Sequence, residues 1–145
     1  MMETNQPIVQ VRNLRTYFHT DDGTLKAVDG VNFSIQPKTI VGIIGESGSG
    51  KSVTAQSIMR LVPTPGEIVE GEIWFQPSSG QGVDLAQLNP RGTEIRQLRG
   101  KEISMVFQEP MTSLSPVHTF GAQIMESVLL NVTPNKRDAK ELALD

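Results

Sequence analysis

The chain has 145 residues, with 13 Lys plus Arg against 16 Asp plus Glu, a formal net charge of −3 and 37% hydrophobic residues. That mix suits a globular protein with a real core and excludes collagen-like, coiled-coil and wholly disordered chains. The slight acidity, with no long basic run, leaves no electrostatic footprint for nucleic acid or anionic lipid, and the absence of Cys excludes a disulfide framework, a thiolate metal site and thiol chemistry and suits a reducing cytoplasm.

In chain order, Met1 to Pro7 is polar, with neither a basic flank nor an apolar stretch, so no secretory signal is expected. Ile8, Val9, Val11 and Leu14 then form an apolar stretch that reads as a strand, and Asp22-Gly23 is a hairpin turn signal. After Asp29-Gly30 the alternation is clean: Val31, Phe33 and Ile35 on one face, Asn32, Ser34 and Gln36 on the other. Such a pattern predicts an antiparallel sheet with one face in water.

Past Gln36-Pro37, Thr39 to Ile44 is continuously apolar, the pattern of a strand buried on both faces of a parallel sheet. The longest run without a polar residue, Ile40 to Gly45, is far short of the roughly 20 residues of a membrane span, so any membrane association is expected to go through a partner. A glycine-rich loop follows. Lys51 to Leu61 then runs at helical spacing, with Ala55, Ile58, Met59 and Val62 as its apolar stripe and Pro63 as its end.

Between Pro65 and Gly100 the pattern predicts one short strand, Glu72 to Phe75, in a loop-rich stretch. Arg91, Arg96, Arg99 and Lys101, diluted by Glu94 and Glu102, read as a solvated charged face. Ile103 to Phe107 predicts a second buried strand, Phe120 to Leu130 a helix, and Thr133-Pro134 the start of another helix that runs to Asp145.

Gly45-Glu46-Ser47-Gly48-Ser49-Gly50-Lys51-Ser52 fits G-x-x-x-x-G-K-[ST] at every position. It follows a predicted buried strand and opens a predicted helix, the context that separates a phosphate loop from a flexible Gly/Ser linker. Each residue type has a reason to be there. Glycines let the backbone close on an anion so that successive N–H groups converge on it. The helix starting at Lys51 adds the positive end of its dipole, Lys51 a compact charge for β- and γ-phosphates, and Ser52 a hard oxygen suited to Mg²⁺.

Gln108 ends the second predicted buried strand. If the two strands run parallel in one sheet, both following loops open into one crevice, where an amide oxygen can meet Mg²⁺ and orient water. An exposed loop glutamine is the other reading.

GESGSGKSVTAQSIMR (Gly45 to Arg60), LRGKEISMVFQEPMTSLSPV (Leu98 to Val117) and the stretch Ala27-Val28-Asp29-Gly30-Val31 together resemble the ATP-binding subunits of ABC transporters, in particular oligopeptide, dipeptide and nickel importers. The resemblance runs over nearly the whole chain. It implies an α/β P-loop NTPase fold of the ABC type, with an N-terminal antiparallel β subdomain and truncation within the helical subdomain. The implied layout is an antiparallel β region at about 1–38, a P-loop core at about 39–62, a β/loop region at about 63–108 and the start of a helical subdomain at about 109–145.

By the same resemblance, ATP and Mg²⁺ are the cofactors. Gly45 to Ser52 hold the phosphates, Lys51 and Gln108 serve hydrolysis, Ser52 and Gln108 serve the metal, and Gln108 is the Q-loop glutamine. An aromatic residue four positions after Leu14, Phe18, is expected to stack on adenine, with Tyr17 the alternative; a ring on a base is worth about 1–3 kcal/mol.

The implied function is an importer ATPase taking up peptides or related solutes. It would sit peripherally on the cytoplasmic face of the membrane, paired with a second ATP-binding subunit on two permease subunits, served indirectly by an extracytoplasmic solute-binding protein, and without nucleic acid. Ser78-Ser79-Gly80-Gln81-Gly82 superficially resembles the family signature Leu-Ser-Gly-Gly-Gln but precedes Gln108, on the wrong side of the chain. Likewise Glu109 is not expected to be the catalytic glutamate, nor His118 the switch histidine, and Trp74 reads as a strand residue packing on its neighbours. After Gln108 these 145 residues contain no signature sequence, no apolar strand ending in Asp-Glu and no switch histidine. The chain alone is therefore expected to bind nucleotide or dock on a partner without turning ATP over.

Overall fold

A computed structural model describes residues 6–78, 80–108 and 115–144. The chain divides into two compact units, Met1–Glu102 and Ile103–Asp145.

The first unit is built on a four-stranded antiparallel sheet in the order β2-β1-β3-β4. Its strands are β1 (Val9–Thr20), β2 (Gly23–Ile35), β3 (Gly66–Phe75) and β4 (Val83–Asp84). The Asp22-Gly23 turn does join β1 to β2, with Thr20 opposite Gly23 and Val9 opposite Ile35. The alternation predicted for 31–36 is present through Ile35, with Asn32 and Ser34 exposed and Val31, Phe33 and Ile35 less so, whereas Gln36, past the end of β2, is not fully exposed. β3 is longer than predicted because it pairs along the length of β1, from Phe18 opposite Gly66 to Val9 opposite Phe75.

One face of the sheet carries the core. Val9, Val11 and Leu14 of β1, Val28 of β2 and Ile73 and Phe75 of β3 are buried, as are Leu85 and Ile95 from the segments that follow. Full burial of a side chain such as Leu14, Ile73, Leu85 or Ile95 stabilises by about 1.5–3 kcal/mol each. The opposite face is polar and half in water, crossed by the pairs Arg12–Glu72, Arg15–Glu70 and His19–Glu67 at 3.4, 3.1 and 3.2 Å. Trp74 lies on β3, 42% exposed, its indole N–H donating to Glu72.

Helix α1 (Lys51–Ile58) begins where predicted and is shorter than expected; Met59 and Arg60 close it. Of the predicted stripe Ala55, Ile58, Met59 and Val62, Met59 is buried; the other buried residues of this stretch are Thr54 and Ser57. A polar pair explains the burial of Ser57. The Ser57 hydroxyl lies 2.8 Å from that of Thr16 on β1 and donates to the Val53 carbonyl at 2.7 Å, so two fully buried hydroxyls satisfy each other. A short helix α2 (Thr93–Leu98) occupies part of the region read as loop, anchored by fully buried Ile95.

The predicted strand Thr39 to Ile44 is not formed. These residues lie without ladder partners, with Ile40 and Ile44 fully exposed and Val41 and Ile43 about half exposed. An apolar run becomes a buried strand only when neighbours bond both edges and cover both faces, and none of the four strands of the sheet pairs with it.

In the second unit, described by itself, Ile103 to Phe107 likewise forms no strand beyond a single bridge at Ile103, and Val106 is 90% exposed. The unit contains α3 (Phe120–Asn131), as predicted from 120, and α4 (Lys136–Leu142). Helix α4 starts after Asn135 rather than at Thr133-Pro134: the Asn135 carboxamide accepts from the Arg137 N–H, while the Thr133 hydroxyl accepts from the Asn135 N–H. Asparagine is a better N-cap than threonine and takes the role.

Candidate functional site

The phosphate loop lies on the surface of the first unit, with residues 45–49 exposed. Gly48 and Gly50 adopt left-handed backbone, at φ 79° and 85°, which a side chain would strain. Gly50 has a second reason to be glycine. The register of β1 on β2 skips Ala27, since Thr16 faces Val28 and Tyr17 faces Lys26. Ala27 is thus a bulge, and a Cβ on Gly50 would collide with the Ala27 carbonyl oxygen. The N-terminal end of α1 is thereby seated on β2 at a point where nothing larger than hydrogen fits.

Lys51 folds back over the loop. Its ammonium donates to the Gly45 carbonyl at 2.7 Å, the Glu46 carbonyl at 2.5 Å and the Ser49 hydroxyl at 3.3 Å. A turn from the Ser49 N–H to the Glu46 carbonyl, 3.2 Å, shapes the same segment. Gly50 provides no side-chain cap, the first turn holds no acid, and Thr54 is the first residue to bond back along the helix, to Gly50 at 2.8 Å. The amides before Thr54 at an uncapped helix start, with a lysine ammonium held beside them, form a concentrated donor set for an anion.

That donor set fits a polyphosphate. Gly45, Glu46, Ser47, Gly48, Ser49, Gly50, Lys51 and Ser52 are all in this loop or the first turn of α1, and Ser52 is exposed. Among the described residues no three His, Asp or Glu side chains gather into a ready cation site. A Mg²⁺ ion here would therefore rely on phosphate oxygens as well as on Ser52.

Phe18 and Tyr17, adjacent on β1, have different surroundings. The Tyr17 hydroxyl donates to Asp29 at 2.7 Å and its ring lies 5.4 Å below the Lys26 ammonium; the Asp29 hydrogen bond is the main cause of its raised pKa. Phe18 sits opposite Leu25 and Gly66, with its ring against Gly66 and only part of it covered. Its strand position is next to the Thr16–Tyr17 step at which the Ala27 bulge meets Gly50.

Gln108 is exposed and belongs to the second unit, and Glu109 lies outside the described residues. His118 is exposed on the surface of that same unit. Of the Ser78 to Gly82 segment, Ser79 is outside the described residues, and Ser78 donates through its N–H and hydroxyl to Glu102 at 3.0 and 2.8 Å. These bonds, the backbone one first, hold the Glu102 carboxyl below its ordinary pKa. A cleft of about 410 Å³ lined by Gln10, Arg12, Glu72 and Trp74 shares no residue with the phosphate loop.

Two features had no sequence signal: the Ala27 bulge under Gly50, and Arg99. Read from sequence as part of a solvated face, Arg99 is half-buried and donates to three backbone carbonyls, at Met59, Arg60 and Pro90.

Comparison with known proteins is consistent across three kinds of similarity. A family model described as ABC transporter matches residues 28–143. A protein of Sinorhizobium fredii named "Probable peptide ABC transporter ATP-binding protein" is 44% identical over 139 residues, 95% of this chain and 39% of that protein. The peptidoglycan transport ATP-binding protein of Agrobacterium fabrum is 44% identical over 147 residues, all of this chain and 26% of that protein. The chain thus spans about two-fifths or less of the length of these relatives. Among solved structures, a dimeric ATP-binding cassette in a post-hydrolysis state with ADP and Pi has the same fold, with a TM-score of 0.75 at 23% identity, over 94% of this chain and 54% of that one.

Proposed function

Because the chain belongs to the ABC transporter family, we propose that it is part of the ATP-binding subunit of an importer, one that couples ATP binding and hydrolysis to uptake of peptides or related solutes. The observation that carries the nucleotide site is the loop itself: the Lys51 ammonium poised on the Gly45 and Glu46 carbonyls beside the free amides of an uncapped helix. The loop Gly45 to Ser52 holds the phosphates, Lys51 neutralises the β- and γ-phosphate charge, and Phe18 takes the base. Ser52 would serve Mg²⁺, and Gln108, as the Q-loop glutamine of the family resemblance, would serve the metal and orient water in the longer protein. The ion, when bound, draws charge from the transferring phosphoryl group.

In the longer protein, two such subunits would meet on permease subunits at the cytoplasmic face of the membrane, with a solute-binding protein delivering cargo. No described helix is long and apolar enough to cross a membrane, which fits an assembly in which other subunits form the path. The names of the relatives differ in cargo, peptide in one and peptidoglycan in another, so we assign the ATP-binding role to this chain and cargo choice to its partners.

A second reading is favoured by the two exposed apolar runs, at 40–44 and 103–107: the 145-residue chain by itself holds nucleotide or docks on a partner without hydrolysing ATP. Phosphoryl transfer needs several groups acting together, and losing members of such a set is costly and non-additive.

The test of the site is MgATP binding to the chain and to Lys51→Ala. Loss of most of the affinity is expected, a few kcal/mol for removal of a charge-assisted contact; parent-like affinity would overturn the assignment. In the full-length protein, Gln108→Ala is expected to lower turnover more than binding, and unchanged turnover would remove it from the site. The isolated chain should show no ATPase activity that disappears with Lys51→Ala.

A further inference from the structure

Helix α1 is held at both ends, and only its start belongs to the phosphate loop. At the other end, the Met59, Arg60 and Leu61 N–H groups close the helix on the Ala55, Ser57 and Gln56 carbonyls, and Arg99, which follows α2, grips that closing turn: Nε donates to the Met59 carbonyl at 2.8 Å and Nη2 to the Arg60 carbonyl at 2.7 Å, while Nη1 reaches the Pro90 carbonyl at 3.3 Å. Arg60 turns left-handed at φ 54° and sends its own guanidinium to the Leu88 carbonyl, at 3.2 and 3.0 Å. Two arginines therefore tie the end of α1 to the 88–90 segment. A cation at a helix C-terminus also complements the negative end of its dipole. Both groups are partly withdrawn from water, and burial is the largest cause of the lowered pKa of each.

The helix between these two anchors is short. Its 8 residues span about 12 Å at the usual rise, so a tilt at Arg60 is transmitted to Lys51 with little bending. On the sheet, α1 makes two point contacts, the buried Thr16–Ser57 hydroxyl pair and Gly50 on Ala27, and Arg99 supplies a third point beyond its C-terminal end. We propose that Arg99 is a positioning residue for the phosphate loop: by clamping the Met59–Arg60 turn that closes α1 it sets the angle at which the helix presents its N-terminal amides and Lys51 to the nucleotide. This rests on the nucleotide reading of the loop given above.

The planar guanidinium matters as well as its charge. Three donors directed at three carbonyls fix an orientation, which a single ammonium does not.

The 145-residue chain, Arg99→Ala, Arg99→Lys and Lys51→Ala are compared by MgATP binding under conditions where each is folded by circular dichroism, and by amide hydrogen exchange without nucleotide. Arg99→Ala should weaken MgATP binding about tenfold, the usual size of coupling between separated sites, and Arg99→Lys should recover part of it. Exchange at Thr54 to Leu61, the hydrogen-bonded amides of α1 and its closing turn, should accelerate in Arg99→Ala while amides of β1 keep their protection. A uniform rise in exchange over β1 and α1, or parent affinity in both Arg99 variants, would overturn the proposal. If Arg99→Ala does not fold, Arg99→Lys decides by the same two readouts. Lys51→Ala separates the two ideas: parent-like MgATP binding in that variant refutes the nucleotide reading, whereas the exchange pattern of the Arg99 variants is measured without nucleotide and tests the clamp alone.

Discussion

Replacing Gly50 by Ala should damage the protein more than the same change at Gly48, although the two glycines have nearly equal backbone angles, φ 85° and 79°. Holding an alanine in left-handed backbone costs about 1–2 kcal/mol at either site. At Gly48 nothing lies within 4 Å of the added Cβ, so strain is the whole effect. At Gly50 the Cβ meets the Ala27 carbonyl oxygen, a backbone atom with no rotamer to escape into, and α1 must lift from β2. Overpacking of this kind costs about 1–3 kcal/mol more.

The difference between the variants removes the strain common to both and isolates the collision. Equilibrium urea unfolding measures it: with a slope of about 1.5 kcal/mol per M, the Gly50→Ala midpoint should fall about 0.7–2 M below that of Gly48→Ala. Equal midpoints would refute the argument that the bulge at Ala27 seats the phosphate loop.

The buried Thr16–Ser57 pair predicts an asymmetry. Ser57→Ala leaves the Thr16 hydroxyl buried without a partner and should cost about 1–3 kcal/mol, more than Thr16→Val, after which Ser57 still donates to Val53; chemical denaturation of both variants checks the order. Phe18→Ala should weaken ADP binding while leaving tripolyphosphate binding unchanged, and Tyr17→Ala should affect ADP binding less, because the tyrosine is already engaged by Asp29 and Lys26; competition binding measures both. Ser78→Ala should raise the Glu102 pKa only part of the way back, because the backbone N–H, the larger cause, remains; carboxyl NMR titration reads the change. Since the folded pKa is depressed, the contribution of this contact to stability is present above the unfolded value and is lost as pH falls through the folded one.

Much of the site was legible in sequence because it is local. The phosphate loop spans eight consecutive residues whose types are dictated by how backbone amides surround an anion, and the start of α1 at Lys51 and the hairpin turn at Asp22-Gly23 follow from the same short-range rules. Alternation in 31–36 reports a strand with one wet face whatever its neighbours are. The apolar runs at 39–44 and 103–107 show where that logic stops. Their composition states a preference for burial, but a parallel strand exists only through hydrogen bonds to other strands, and here neither run has them.

Tertiary structure alone decided which atoms meet. No local pattern marks Ala27 as the bulge on which Gly50 rests, because the bulge is a mismatch in register between two strands. Nor does the stripe read from α1 reveal that Thr54 and Ser57 face inward: periodicity scores hydrophobicity, and a hydroxyl becomes a core group only where another hydroxyl satisfies it, as Thr16 does from 41 positions away. Arg99 is the same lesson in charge. Among charged neighbours it looks like a surface residue, and only the fold brings the carbonyls of the turn that closes α1, 39 and 40 positions earlier in the chain, within reach of its guanidinium.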